Sequence, residues 1–419
     1  MRAWAQVKRT FQSLSVRNYR LFFTGQAISV NGTWIQTVAQ AWLVLHLTGN
    51  GVDLGITTAL QFLPVLILGT WGGAVADRVD KRRALYLTQG GFALSSGVLA
   101  TLVLTGHATI WAVWAFALVS GFARVFDNPI RQAFASEMVG SKLVANAVSL
   151  NSSLFTSARI IGPSIAGALI ALVGTGWCFA INGASYVAVL IALLMMNPAE
   201  LYRSAVRRTR AGGLRQISEG LRYIWGDPEL RVPLMMMAVI GLLAINFNVI
   251  LPLVATRIFH GGPGLYGGLY AAMGVGAFTG ALYMANRARP TMLLLIIAAL
   301  IFGAGLLVAA GIRILPLELA VLVPAGAGMT LFQAGTNSSL QIRANPEFRG
   351  RVLSIYVLLF NGTTPIGGPI IGWVAQQFGA DAALAVGGAS AVIVAVLAYV
   401  WLRGYRRRTR TEATTSEVS

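Results

Sequence analysis

The sequence predicts an all-α integral membrane protein with twelve transmembrane helices in two six-helix pseudo-repeat halves. Three observations carry that prediction. First, 56% of the 419 residues are hydrophobic and only 11% are charged, with a mean hydropathy of +0.69. Soluble domains carry about 25% charged residues, so this chain lacks the polar surface that a soluble fold needs. Second, twelve apolar segments reach the roughly 20 residues that a helix requires to cross a bilayer. Third, the basic residues gather in every second gap between those segments.

The spans are predicted at 20–46, 54–76, 84–106, 110–132, 144–173, 177–197, 232–256, 265–285, 291–312, 318–341, 352–376 and 383–402. All are helices, because an isolated strand in lipid leaves its backbone groups unpaired. The first is too long for a cleavable signal and lacks a small-residue cleavage site, so it is a retained span. Of the 32 Lys and Arg residues, 28 lie on the same side as the N-terminus, counting Arg20 and Arg131 at the ends of their spans on that side; Arg257 and Arg313 lie opposite, and Arg124 and Arg159 fall deeper within spans. Positive residues favour the cytoplasmic side, which predicts both termini inside a cell inner (plasma) membrane.

The remaining composition narrows the chemistry. The net charge is +18, but the basic residues form short clusters between apolar runs. They do not form one basic face with interleaved aromatics, which argues against nucleic acid. The single Cys178 excludes an internal disulfide and a thiolate metal cluster. His46, His107 and His260 are far apart and show no ligand spacing, so no metal or cofactor is predicted. No stretch matches GxxxxGK[ST], and the only lysines are Lys8, Lys81 and Lys142, so the chain has no ATPase of its own. GVGAFTG at 274–280 lies inside a span without the strand that a dinucleotide loop requires. No strand precedes Ser164 in GPSIAG, so it is not a nucleophile elbow, and no enzyme is predicted.

The domain organisation follows from the spans. Residues 1–197 form an N-terminal six-helix half, 198–231 a cytoplasmic basic linker, 232–402 a C-terminal six-helix half, and 403–419 a basic tail. The linker holds Arg203, Arg207, Arg208, Arg210 and Arg215, broken by Gly212 and Gly213. Leu214, Ile217, Leu221 and Ile224 then recur at helical spacing beside Arg222 and Trp225, which predicts a helix lying in the membrane interface. The halves also match internally. GPSIAGALIALVG from Gly162 and GGPIIGWVAQQFG from Gly367 align Gly162, Gly167 and Gly174 with Gly367, Gly372 and Gly379, each at an offset of 205. Such duplication predicts a binding site where the halves meet.

Between spans two and three, residues 77–83 hold six charges in seven positions. The stretch GGAVADRVDKRR resembles the signature of the major facilitator superfamily, in which a glycine is followed by three residues, Asp-Arg and clustered basics. Gly73, Asp77, Arg78, Lys81 and Arg82 occupy the signature places, while Asp80 stands where that pattern has glycine. SVRNYRLFFTGQAIS, EGLRYIWGDPELR and NPEFRGRVLSIYVLLFNGTTPIGGPIIG are similar to the drug-exporter branch, which holds macrolide-efflux and enterobactin-exporter proteins.

That resemblance implies roles. The charge knot is a conformational latch: the aspartate sits near the N-terminus of helix eleven, the basic residues pair with acidic groups at helix ends, and Gly73 lets two helices approach closely. On helix five, Ser149, Ala158, Gly162, Pro163, Ala166 and Gly167 occupy the places of a glycine-rich exporter element, with three of its glycines replaced. Helices one, four, seven and ten line the cavity. Helix one carries a polar stripe of Gln26, Ser29, Thr33, Gln36 or Thr37, and Gln40 in steps of three and four. A polar stripe in a span is costly unless it meets water or partner groups, so it is a pathway candidate, with interhelical hydrogen bonding as the alternative. Asn246 and Asn248, Thr330, Gln333 and Asn337, and Asn361 join it, with Trp34, Phe247, Tyr270 and Phe332 as stacking surfaces. Arg159 is the deepest charge, while Arg124, Asp127 and Arg131 share one face of span four and are predicted to dock against the knot, with ion coupling through Asp127 as the alternative.

The expectation is a secondary active transporter that exports an amphipathic organic small molecule by alternating access, with H+ as coupling ion. Its partners are then that substrate, the ion and the lipid bilayer. Import or facilitated passage of a small metabolite is the first alternative, and a non-transporting receptor or assembly subunit the second.

Overall fold

A computed structural model describes residues 11–202, 213–287 and 290–416, all-helical apart from short connections. The first six spans are single helices: α1 (Arg17–Thr48), α2 (Gly51–Ala76), α3 (Lys81–Leu104), α4 (Ile110–Val139), α5 (Val144–Val173) and α6 (Thr175–Met195). After α7 (Gly213–Gly226), span seven comes in two pieces, α8 (Pro228–Leu243) and α9 (Phe247–Leu253). There follow α10 (Pro263–Ala285), α11 (Met292–Gly311) and α12 (Leu315–Arg343). Span eleven is α13 (Arg349–Gly362) with α14 (Thr364–Phe378), and α15 (Ala380–Ser416) is span twelve.

Composition and length alone mark eleven of these spans as able to cross a membrane, among the described residues. The twelfth, α1, has 32 residues, about 48 Å at 1.5 Å per residue, so length is not what it lacks. Its polar stripe lowers its mean hydropathy. The helix of span twelve continues to Ser416, past residue 402 where the span is predicted to end.

Local chemistry places the helix ends. Gly49 takes φ +63 after α1 and its N–H bonds Leu45 O, a left-handed cap that glycine adopts without a Cβ penalty. Asn50 then accepts from Val52 N at 2.9 Å to start α2. Asp80 accepts from Arg83 N at 2.9 Å and starts α3. The one departure from the superfamily signature is therefore an N-cap, and the carboxylate favours the positive end of that helix dipole.

The chain forms two compact units, Met1–Ala211 with Gly261–Ala271, and Gly212–His260 with Ala272–Ser419. In the first, α1 packs on α5 and α6, α3 on α4 and α6, and α2 on α4. In the second, span seven packs on α14 and α15, and α11 on α12 and α15. The contacts among spans one, three, four, five and six recur among spans seven, nine, ten, eleven and twelve, as the pseudo-repeat predicts. The matched glycines explain it physically. A Cβ on Gly162 would collide with Trp34 of α1, and one on Gly367 would collide with Leu242 O of α8. Each glycine thus lets the fifth span of its half lie against the first. Gly174 and Gly379 end those spans at φ +84 and +99, a backbone state that L side chains rarely adopt.

Two continuous spans were expected where the second unit has breaks. Span seven is interrupted between Leu243 and Phe247, with Asn246 at the gap. Span eleven bends between Gly362 and Thr364, where Pro365 supplies no N–H for the helical ladder. The two irregularities face each other. Gly241 approaches Thr363, whose Oγ1 returns to Leu359 O at 2.8 Å.

Candidate functional site

The knot at the end of α2 disperses its charges to different helices. Asp77 is exposed and closes α2, its N–H bonding Gly73 O at 3.2 Å. Arg78 is exposed. Lys81 pairs with Glu137 near the end of α4 at 2.6 Å. Arg82 donates from Nε and Nη2 to Leu193 O at 3.0 and 2.7 Å, satisfying a carbonyl near the end of α6. One expectation changes here. Gly73 has open space at its Cβ position, whereas a Cβ on Gly72 would strike Val125 O of α4. The close approach of α2 to α4 therefore uses the preceding glycine, because only that face of α2 is turned to α4.

The intramembrane charges of α4 bind spans together and do not dock on the knot. Asp127 is 2% exposed. Its Oδ1 accepts from Gln89 Nε2 at 2.7 Å and Thr88 Oγ1 at 2.9 Å, both on α3, and its Oδ2 lies 2.9 Å from Arg131. Arg131 reaches Gln26 Oε1 of α1 at 2.9 Å and Asn128 Oδ1 at 2.8 Å, and its guanidinium lies 5.1 Å from the Phe155 ring of α5. The side chain of Arg124 is half-buried, with an Nε that finds no hydrogen-bond partner. The knot meets α4 elsewhere, through Lys81 and Glu137.

The polar stripe of α1 turns out to hold the first unit together. Gln36 Oε1 accepts from Ser96 Oγ of α3 at 2.8 Å and Asn182 Nδ2 of α6 at 2.7 Å. Thr33 bonds Ser29 O and lies 3.1 Å from Tyr186 OH. Gln26 serves Arg131, and Gln40 is 3% exposed with an unpartnered Nε2. Within an apolar bundle, polar side chains spaced by three and four residues find each other across helices. The sequence pattern is the same for that arrangement as for a pathway.

The remaining candidates are divided between the two units. Arg159 is half-buried on α5, one turn before Gly162, and acts electrostatically on Tyr270. Pro163 is buried beside Gly162, and a Cβ on Gly167 would stand 2.8 Å from Gly267 of α10. Next to that contact, Tyr266 stacks on Trp42 at 6.3 Å and meets Tyr270 at 5.4 Å. In the second unit, Asn246 is 3% exposed, donates to Leu242 O at 2.8 Å and keeps an unpartnered Oδ1 at the break of span seven. Gln333 is buried with an unpartnered Nε2, and its carbonyl accepts from Tyr356 OH at 3.0 Å. Half-buried Asn337 accepts from Gln341 at 2.8 Å, and Asn361 donates to Val357 O at 3.3 Å. Phe247 and Phe332 are buried, Phe247 edge-on to Phe302.

Sequence reasoning missed Trp42 and Tyr266, whose stacking depends on tertiary contact, and Glu318, which lies at a predicted span boundary. It also placed the linker helix only by its amphipathic spacing. Leu214, Arg215 and Ile217 have side chains outside the described set, and Arg203, Arg207, Arg208 and Arg210 lie wholly outside the described residues. Beyond them, α7 docks on the start of span eleven. Tyr223 stacks on Phe348, Glu219 pairs with Arg351 at 3.1 Å, and Tyr223 OH accepts from Asn345 N at 3.1 Å. Its Leu221 and Trp225 are exposed, while Ile224 of the same predicted apolar stripe is buried.

Comparison with known proteins agrees with this architecture. The model of a family described as transmembrane secretion effector matches residues 8–414. The staphyloferrin A transporter of Staphylococcus aureus is 24% identical over 387 residues, covering 91% of this chain and 95% of that protein. The multidrug efflux pump Tap of Mycolicibacterium fortuitum is 28% identical over 371 residues, covering 84% and 87%. Macrolide efflux protein A of Streptococcus pyogenes is 22% identical over 393 residues, covering 91% and 96%. Among solved structures, the nucleoside transporter NupG superposes with a TM-score of 0.68 at 14% identity, covering 92% of this chain and 98% of its own, a likeness of fold. With twelve spans, duplicated halves, the knot between spans two and three and a family model along nearly the whole chain, the protein belongs to the transmembrane secretion effector family of the major facilitator superfamily and is a multi-pass membrane transporter.

Proposed function

We propose that the protein exports an amphipathic organic small molecule by alternating access, driven by a proton gradient, from an inner membrane with both termini cytoplasmic. The observation that carries export is the pair of relatives, each matched over most of its length, whose names describe multidrug efflux and macrolide efflux; a further relative is named for transport of staphyloferrin A. Orientation is supported by the placement of 28 of 32 basic residues on one side. Ion coupling is supported by the lack of any phosphate loop in the chain. The energy is adequate. One charge crossing 100 mV yields roughly 2.3 kcal/mol, and one pH unit adds about 1.36 kcal/mol, enough for a gradient of several hundredfold per proton.

Proteoliposomes test the reading. Without ATP, an imposed pH gradient drives uphill movement of a labelled macrolide or siderophore, and a protonophore abolishes it. Downhill flux that no gradient converts to uphill flux would make the protein a facilitator. Orientation is tested separately in a Cys178→Ser background. An impermeant thiol reagent on whole cells labels His260→Cys and spares Arg208→Cys; the reverse pattern overturns the assignment.

A further inference from the structure

The chain contains a buried acid that the reading above does not use. Glu318 lies in the first turn of α12 and is 1% exposed, and neither of its carboxylate oxygens finds a hydrogen-bond partner. Its place is sealed by packing. Two turns further on, Ala325 is so close to α11 that a Cβ on Gly305 would stand 2.8 Å away, and Leu322 between them is fully buried. Span α11 carries no titratable side chain on this face or any other.

The neighbouring charges are otherwise engaged. Arg313, in the connection just before α12, is the charged group that acts on Glu318. Its guanidinium is bonded instead to Asp381, in the first turn of α15, at 3.0 Å, and to the carbonyls of Ala310 and Ile312. Arg257, from the far end of span seven, donates to Ala375 O and Gln376 of α14. Glu229 and Arg343 pair at the opposite end of α12, and Tyr283 receives Arg287. A charged carboxylate in such a place has given up its water and received no donor in return, whereas a carboxylic acid has far less hydration to lose.

We propose that Glu318 binds a proton in this conformation and releases it to water when its end of α12 opens, with Arg313 passing from Asp381 to the carboxylate left behind. The O–H bond of the acid breaks, the proton goes to water, and one ion pair replaces another. The two arrangements of Arg313 form a two-state element that proton binding biases. As the coupling group of transport, Glu318 rests on the proton-driven reading above; as a proton-binding site, it stands on its own geometry.

Infrared difference spectroscopy of the full chain in lipid, between acidic and alkaline buffer, reads the site directly with the proton as the probe. The expected result is a protonated-carboxyl stretch that disappears at alkaline pH in the native chain, is missing in Glu318→Gln and returns in Glu318→Asp; in Asp381→Asn it is present in acidic buffer and disappears at lower pH than in the native chain, because Arg313 is released to the carboxylate. In Arg313→Gln the stretch persists to higher pH, because the carboxylate has lost its cation. A native stretch unchanged in Glu318→Gln overturns the assignment. Macrolide or siderophore flux is measured in parallel. If the stretch depends on Glu318 and no pH gradient moves substrate in the native protein, the coupling reading fails and the proton site remains. If a pH gradient drives flux equally in the native protein and Glu318→Gln, Glu318 fails as the coupling group and the proton-driven reading remains.

Discussion

Tyr223 of the linker helix lies face to face with Phe348 at the start of span eleven, with ring centroids 4.4 Å apart and planes 10° from parallel. This stack, the Glu219–Arg351 pair and the hydrogen bond from Asn345 N to Tyr223 OH fasten α7 to the end of a span that carries a proline bend. Such an aromatic pair contributes about 0.5–1.5 kcal/mol beyond its area, and a partly exposed ion pair about 0.2–1 kcal/mol. Tyr223→Ala is therefore expected to weaken docking without preventing folding. A double-mutant cycle with Phe348→Ala, read by thermal unfolding in detergent, checks it. Additive losses would mean that the rings do not stabilise each other.

The glycines at the end of α2 make a sharp contrast. Gly72→Ala places a methyl against Val125 O, while Gly73→Ala meets open space. Overpacking of this kind costs about 1–3 kcal/mol. Gly72→Ala is expected to lower thermal stability clearly and Gly73→Ala to leave it near the native value. Equal stability of the two variants would show that α2 and α4 do not meet this closely.

Gln36 joins three helices through one oxygen. Gln36→Ala leaves Ser96 and Asn182 without their acceptor, and interhelical hydrogen bonds in membrane proteins are worth about 0.6–2 kcal/mol each. The expected outcome is reduced stability with an unchanged order of preference among substrates. A changed substrate profile at native stability would return Gln36 to the transport pathway.

Asp77 is exposed at the end of α2, away from the buried amides. If the knot is a latch, Asp77→Asn inserts and folds, binds substrate within about tenfold of the native affinity, or roughly 1.4 kcal/mol, and transports poorly. Flux in proteoliposomes alongside binding in detergent separates these. Full transport would leave the knot with topology alone.

The spans and their duplication were legible in the sequence because each is a local property. A bilayer demands about 20 apolar residues in a row, basic residues mark one side, and glycines recur at a fixed offset where backbones meet. Gly162 and Gly367 were visible as letters, and their matching contacts with Trp34 and Leu242 follow from the repeat. Partnership was not legible. A stripe such as Gln26, Thr33 and Gln36 has the same helical spacing whether it faces water or neighbouring amides. The choice between Gly72 and Gly73 depends on a rotation of about 100° about one helix axis, which the whole bundle sets. The break of span seven at Asn246 and the isolation of Glu318 likewise depend on residues distant in the chain. Sequence by itself determined how many helices cross, how they repeat and which family they form. Tertiary structure alone decided which polar groups are spent on each other and which are left for chemistry, because burial and hydrogen-bond partners belong to the packed bundle and not to any one helix.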